Sequence, residues 1–167
     1  LDDERPEAVA FALDSLRNPK TVQIEGETLL QVPDFLLARE ILRVFSQESL
    51  PELIRLYDSG DPFLKRNVLL VLGGMPGEGM ARSRLIAALD DQRFWQDEEG
   101  VAAGVPLRVC DTAYNQLVLR YGIKNTPRKL GAAHSLETRD YHIDRLRNAL
   151  TSWVERDKDP GQRRTKR

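Results

Sequence analysis

One phrase of this sequence occurs twice, and its recurrence is the strongest constraint on the fold. Residues 53–66 (LIRLYDSGDPFLKR) combine an apolar helical pattern, an Asp-rich turn and the start of a second helix that opens with Leu-Lys. Residues 85–108 repeat this order as LIAALDD, an inserted stretch and VPLR. The offset of about 32 residues lies in the range typical of stacked helical pairs. The sequence therefore predicts a solenoid of such pairs.

Helix signals cover most of the remaining chain. Residues 6–16 carry apolar side chains at the i, i+3, i+4 and i+7 spacing of a helix with one buried face. Ser49 and Glu52 have the spacing of a capping box and predict a helix start. Asp61 followed by Pro62 predicts another start, because aspartate caps helices and proline suits their first position.

These elements predict an all-α fold, a right-handed α-solenoid of about three helical pairs closed by a C-terminal capping helix. The closing helix has an apolar stripe and a charged opposite face, as a terminal repeat element needs. We expect residues 1–157 to form a single domain and residues 158–167 to form a basic flexible tail. The predicted pairs span residues 6–46, 48–74 and 77–121, and the capping helix spans 136–156.

The charge balance argues against nucleic acid as a partner. The 167 residues include 25 basic and 26 acidic side chains, and four of the basic ones lie in the last six positions. The body without them is mildly acidic, whereas duplex DNA binding needs a continuous basic stripe. No apolar run is long enough to span a bilayer. Because the chain begins with Leu1, we expect a trimmed or processed soluble protein, either cytoplasmic or exported.

The repeated pattern resembles a known family. It is similar to HEAT repeats, particularly the short bacterial type named after phycobilisome lyases. In this pattern an apolar helix is followed by Asp, a turn, Pro and Leu-Arg/Lys, and then by a second helix. The resemblance is best over residues 48–121, and LRVCDTA at 107–113 is its most family-like run. It implies that the basic residue opening a second helix binds a turn aspartate. It thus implies structural roles for Lys65, Arg108, Asp58 and Asp90, and it implies no common function.

Two insertions interrupt the repeat at the same corner of their pairs. Residues 18–32 include TVQIEGETLLQV, whose alternation around Gly26 predicts a small β-hairpin. Residues 91–105 (DQRFWQDEEGVAAGV) form an acidic, glycine-containing loop with two adjacent aromatic residues. Loops added on one side of a repeat array are often its binding face. Trp95 is then either exposed for a partner or folded back to fill the groove beside it.

Residues that could carry chemistry have simpler structural explanations. The acidic residues within 90–99 lack the alternating ligand positions of a calcium loop. His134 and His142 have no third ligand of matching spacing for zinc. Cys110 lies in the apolar register of its helix, which predicts a buried and inert thiol. The basic loop 124–129 (KNTPRK) is either an anion-binding segment or a solvated linker. We predict no catalytic, metal or cofactor-binding residues.

Two functions remain from the sequence. The first is a non-enzymatic protein or peptide interaction module that uses the concave face and the corner loops 18–32 and 91–105. The alternative is a lyase or chaperone-like enzyme acting on a chromophore-bearing or other protein, with a groove lined by Trp95, Arg108, Asp111 and Tyr114. The predicted partner-binding residues are Arg93, Phe94, Trp95, Arg108 and Tyr114.

Overall fold

The computed structural model describes residues 4–18, 21–24, 27–30, 32–76, 79–96, 104–121, 127 and 129–158. In these residues the protein is mostly helical, as predicted. The α-helices are α1 (Arg5–Arg17), α2 (Val32–Val44), α3 (Ser46–Ser59), α4 (Pro62–Leu72), α5 (Gly79–Ala87), α6 (Val109–Tyr121) and α7 (Leu136–Lys158). A short 3-10 helix, Ala88–Asp90, follows α5 directly. Apart from Lys158, the predicted basic tail lies outside the described residues.

Two short strands occupy the first insertion. Strand β1 (Thr21–Ile24) pairs antiparallel with β2 (Glu27–Leu30), so that Thr21 lies opposite Leu30 and Ile24 opposite Glu27. This pairing lies where the alternation around Gly26 predicts a hairpin. The strands connect α1 to α2.

The predicted start of α4 is confirmed. The Asp61 carboxylate accepts a hydrogen bond from the backbone N–H of Leu64 at 2.8 Å, and Pro62 occupies the first helical position. One of the four backbone donors left unpaired at a helix N-terminus is thereby satisfied. At the other end, the Gly73 N–H donates to the Leu69 carbonyl at 3.0 Å.

The predicted start of α3 at Ser49 is wrong. The helix begins at Ser46, and only Phe45 separates it from α2. The buried Ser49 hydroxyl donates back to the Leu42 carbonyl at 2.8 Å instead of capping its own helix. A carbonyl at the end of α2 would otherwise lack a partner, so Ser49 serves the preceding helix.

The helices pack in pairs around one apolar core. Helix α1 packs on α2, α3 on α4, and α5 with its 3-10 extension on α6. The second helices also touch in sequence, because α4 contacts both α2 and α6, and α7 packs on α6. No helix in the described ranges is long and apolar enough to cross a membrane. Fully buried core residues include Leu16, Leu42, Leu53, Leu69, Leu85, Leu89, Leu117 and Ile143.

Candidate binding groove

The second insertion runs back along the start of α6. Phe94 and Arg108 form an antiparallel β-bridge, and the Trp95 N–H donates to the Leu107 carbonyl at 3.1 Å. Farther on, the Val109 N–H donates to the Arg93 carbonyl at 2.9 Å. The second bond satisfies a backbone donor at the N-terminus of α6 that has no partner inside the helix. Residues 107 and 108 pair with the insertion instead of joining the helix, which begins at Val109.

A buried cluster of three charged side chains fixes the other end of the insertion. We call Arg108, Asp111 and Arg139 the Asp111 cluster. The Asp111 carboxylate accepts from the Arg108 backbone N–H at 2.9 Å and from Arg139 at 2.9 Å, and it pairs with the Arg108 guanidinium at 3.1 Å. Arg139 has no exposed surface. It also donates to the carbonyls of Val105 at 2.6 Å and Pro106 at 2.7 Å, so it holds the insertion against α7.

The four residues given structural roles by the family resemblance all form ion pairs. The nearest partners are Arg84 for Asp58 (2.7 Å), Arg147 for Asp90 (2.7 Å), Asp91 for Lys65 (3.7 Å), and Asp140 for Arg108 (2.8 Å). Lys65 therefore binds an aspartate of the following turn, Asp91, and not one in its own pair. These contacts join residues of the second predicted pair to the third pair, and residues of the third pair to α7.

Two of the predicted partner-binding residues are buried. Arg108 is 4% exposed and belongs to the Asp111 cluster. Tyr114 has no exposed surface, and its hydroxyl donates to the Pro127 carbonyl at 3.1 Å. Because both side chains are buried, direct contact with a partner does not fit their positions. Both instead stabilise the junction of α6 with neighbouring segments.

The other three predicted residues lie at the surface of the corner. Arg93 is exposed and pairs with Asp91 at 2.6 Å. Phe94 is 48% exposed. Trp95 is half-buried, and it packs against the core. Its indole N–H is buried without a hydrogen-bond partner in the described part of the chain. Trp95 thus covers the core and also borders the surface, which combines the two alternatives left open by the sequence.

Trp95 forms one side of a groove between α4 and α6 that the sequence did not identify. We call it the α4–α6 groove; its volume is about 420 Å³. Leu119, 78% exposed, projects at this surface. The apolar lining residues are Leu70, Trp95, Leu107 and Leu119, and the polar ones include Arg66, Thr112, Gln116 and Lys129.

The groove has two cationic side chains without a carboxylate partner among the described residues. Within those ranges neither Arg66 nor Lys129 forms an ion pair, and the guanidinium of Arg66 donates a side-chain hydrogen bond to Asn67 at 2.8 Å. Arg66 also lies over the Trp95 ring, 4.8 Å from its centroid. Burial lowers the pKa of Arg66 because it removes the cation from water. One sequence feature pointed to this site, the basic loop 124–129 that contains Lys129.

A second, more open depression of about 630 Å³ surrounds Tyr57, and its charges are already paired. Tyr57 lies beneath Lys65, whose ammonium is 4.5 Å from the ring centroid. Lys65 and Arg93 both pair with Asp91. Burial, with a smaller contribution from Asp91, raises the pKa of Tyr57 to about 12. The charged side chains of this depression therefore have a structural role, because their ion pairs hold the corner together.

No assembled catalytic set is visible in the described residues. No three His, Cys, Asp or Glu side chains among them are grouped to hold a metal ion. Cys110 is fully buried, and burial together with the charge of Asp111 raises its pKa to about 12. Of the residues proposed to line an enzyme groove, Trp95 lies at the α4–α6 groove, while Tyr114 and the Asp111 cluster are buried.

Comparison of the chain with protein-family models, with curated proteins and with solved structures finds no match.

Proposed function

We propose that the protein is a non-enzymatic interaction module, a short right-handed α-solenoid of the HEAT type that binds a protein or peptide partner. In such a solenoid the second helix of each pair faces the concave side. The continuous contacts from α2 through α4 to α6 support this assignment. So does the repeated sequence phrase, whose two copies correspond to α3–α4 and α5–α6.

The observation that carries the proposal is the α4–α6 groove. It has the size range of ligand-binding clefts and combines apolar walls with a few polar groups. Leu119 stands exposed on a helix whose other apolar residues pack inward, for example Leu117 and Val118. Leu119 does not stand alone, because Leu70, Trp95 and Leu107 line the same groove, and grouped apolar side chains at a surface mark interaction sites.

The corner loop extends this surface. Phe94 is exposed next to Trp95, and the β-bridge to Arg108 fixes the backbone at this point. Aromatic residues held by a rigid backbone lose little conformational entropy on binding and are enriched in protein interfaces. The loop can therefore contribute to partner binding beside the groove.

The proposal is tested by selecting binders from a displayed library of random peptides on the purified protein. Leu119→Asp should abolish binding of most selected peptides, because it places a charge on the apolar wall. Met80→Asp is the matched control, since Met80 is 58% exposed and lies on α5, which does not line the groove. Phe94→Asp tests the corner separately and should weaken a subset of the peptides.

Circular dichroism should show that all three variants fold like the parent. Selected peptides that bind the parent, Leu119→Asp and Phe94→Asp alike would refute the proposed surface. Failure to enrich any peptide would count against an interaction module.

A further inference from the structure

We propose that the α4–α6 groove selects an acidic peptide, a segment in which an apolar residue is flanked by Asp or Glu. The apolar residue would contact Leu70, Trp95 and Leu119, and the carboxylates would bind Arg66 and Lys129. This inference rests on the proposed function and deepens it, because it specifies the chemistry of the partner.

Among the described residues, the walls of the groove carry no accessible acidic side chain. Helix α4 contains no Asp or Glu, and α6 contains only Asp111, which is 1% exposed and paired within the Asp111 cluster. None of the described lining residues is acidic, whereas Arg66 and Lys129 are basic. The described lining of the groove is therefore positively charged, and it favours a negatively charged ligand.

Arg66 is the side chain best prepared to bind a carboxylate. A guanidinium has five N–H donors, and within the described part of the chain the one side-chain acceptor of Arg66 is Asn67. The Arg66 guanidinium lies 4.8 Å from the ring centroid of Trp95 and 6.0 Å from that of Phe63. These cation–π contacts hold the guanidinium in place. An incoming carboxylate can accept two parallel hydrogen bonds from a guanidinium held in this way. Arg66 is partly buried, so part of the hydration of its guanidinium is already removed before the carboxylate binds.

A peptide fits this surface better than a nucleic acid does. Binding of a nucleic acid backbone depends on many phosphate contacts. The groove offers two cations that have no ion pair among the described residues, beside an apolar wall, and Arg93, two positions before Trp95, is already paired with Asp91. One apolar side chain with a carboxylate on either side matches that arrangement.

The test uses the full chain with Trp153→Phe, which leaves Trp95 as its single tryptophan. Short synthetic peptides carrying one central Leu flanked by Glu, by Gln or by Lys are titrated against it. Binding is followed by Trp95 emission and by the anisotropy of a fluorescein label on the peptide. We expect the Glu peptide to bind at least about tenfold more tightly than the Gln peptide. We expect the Lys peptide not to bind, and the affinity for the Glu peptide to fall as salt is added.

Charge-removal variants connect this preference to the groove. Arg66→Gln combined with Lys129→Gln should reduce the preference for Glu over Gln to near unity. Arg55→Gln combined with Arg145→Gln is the matched control, because these exposed side chains lie on α3 and α7, which do not line the groove. Circular dichroism and urea unfolding check that both double variants fold.

The possible outcomes separate this inference from the proposed function. If the Glu and Gln peptides bind equally well, and Leu119→Asp abolishes the binding of both, the acidic preference is refuted. The proposal of an interaction module would still be supported by that result. Binding of the Glu peptide that survives loss of both Arg66 and Lys129 would also refute it. An oligothymidylate that binds more tightly than the Glu peptide, and only when Arg66 and Lys129 are present, would overturn it in favour of a nucleic acid. Absence of binding by all three peptides would contradict the inference, while the library selection still decides the function.

Discussion

Replacing Asp111 by Asn tests whether the Asp111 cluster holds the corner together. The substitution keeps the size and shape of the side chain and removes its charge. In the structure, one carboxylate oxygen accepts from the Arg108 backbone N–H at 2.9 Å and from Arg139 at 2.9 Å. The other oxygen accepts from the Arg108 guanidinium at 3.1 Å, and Arg108 Nε also donates to the first oxygen at 3.4 Å. Both oxygens therefore accept from arginine donors, and an amide can replace only one of them.

The size of the effect follows from these contacts. Asn can place its oxygen where the first two bonds are made, but its NH₂ group then faces the Arg108 guanidinium, donor against donor. Arg108 keeps its ion pair with Asp140 at 2.8 Å, and Arg139 keeps its carbonyl acceptors. Breaking a buried ion pair by removing one partner typically costs about 3–5 kcal/mol. Because both arginines keep other acceptors, we expect a loss of about 3 kcal/mol, near the lower end of that range.

Urea unfolding monitored by circular dichroism measures this loss. With a slope of about 2 kcal/mol per molar urea, the midpoint should fall by roughly 1.5 M. Asp58→Asn is the control, because the Asp58–Arg84 pair at 2.7 Å is exposed, and such pairs contribute about 0–1 kcal/mol. If Asp111→Asn destabilised the protein no more than Asp58→Asn, the cluster would not fix the corner and this account of α6 would be refuted.

Three further predictions concern one glycine and two buried side chains. Gly104→Ala should lower the melting temperature in a thermal scan, because φ is +117° and a Cβ would lie 2.4 Å from the Ala132 carbonyl oxygen. Cys110, with its pKa raised to about 12, should resist iodoacetamide in the native state near about pH 8 and react once urea unfolds the chain. Tyr57 keeps its proton to about pH 12 when folded, whereas its ordinary pKa is 10.0. The unfolded state therefore loses this proton first, and stability should fall as pH rises between these values, as alkaline ultraviolet titration with parallel urea unfolding can show.

Local sequence rules predicted the helices well where the helix signal lies within a few residues. Asp61 and Pro62 fix the start of α4 through contacts inside one turn, so the pattern was sufficient. Ser49 shows where such rules fail. Its hydroxyl has two possible backbone partners, its own helix or the carbonyl of Leu42, and the choice depends on how α2 and α3 pack.

The candidate site was less predictable because it depends on contacts between distant segments. Arg66 and Lys129 lie 63 positions apart in the chain, and only folding places them along one groove. Arg108 was among the predicted partner-binding residues, and the family resemblance also implied a structural role for it. It is buried, and Asp111, three residues later, and Asp140 on α7 neutralise its charge. A sequence pattern records the residue types, but it does not record which charges remain unpaired after the helices pack.

The second insertion can support binding because it is fixed at both described ends. Its beginning is tied to α6 through the bridge of Phe94 with Arg108, and its end is tied to α7 through the bonds from Arg139 to Val105 and Pro106. Between these ties Trp95 lies against the core and beside Arg66. A partner that contacts Trp95 would therefore meet a side chain already held in place, and it would pay little of the ordering cost that a free loop imposes on binding. The interruption of the repeat thus builds one wall of the groove, while the regular helices α4 and α6 supply the other two.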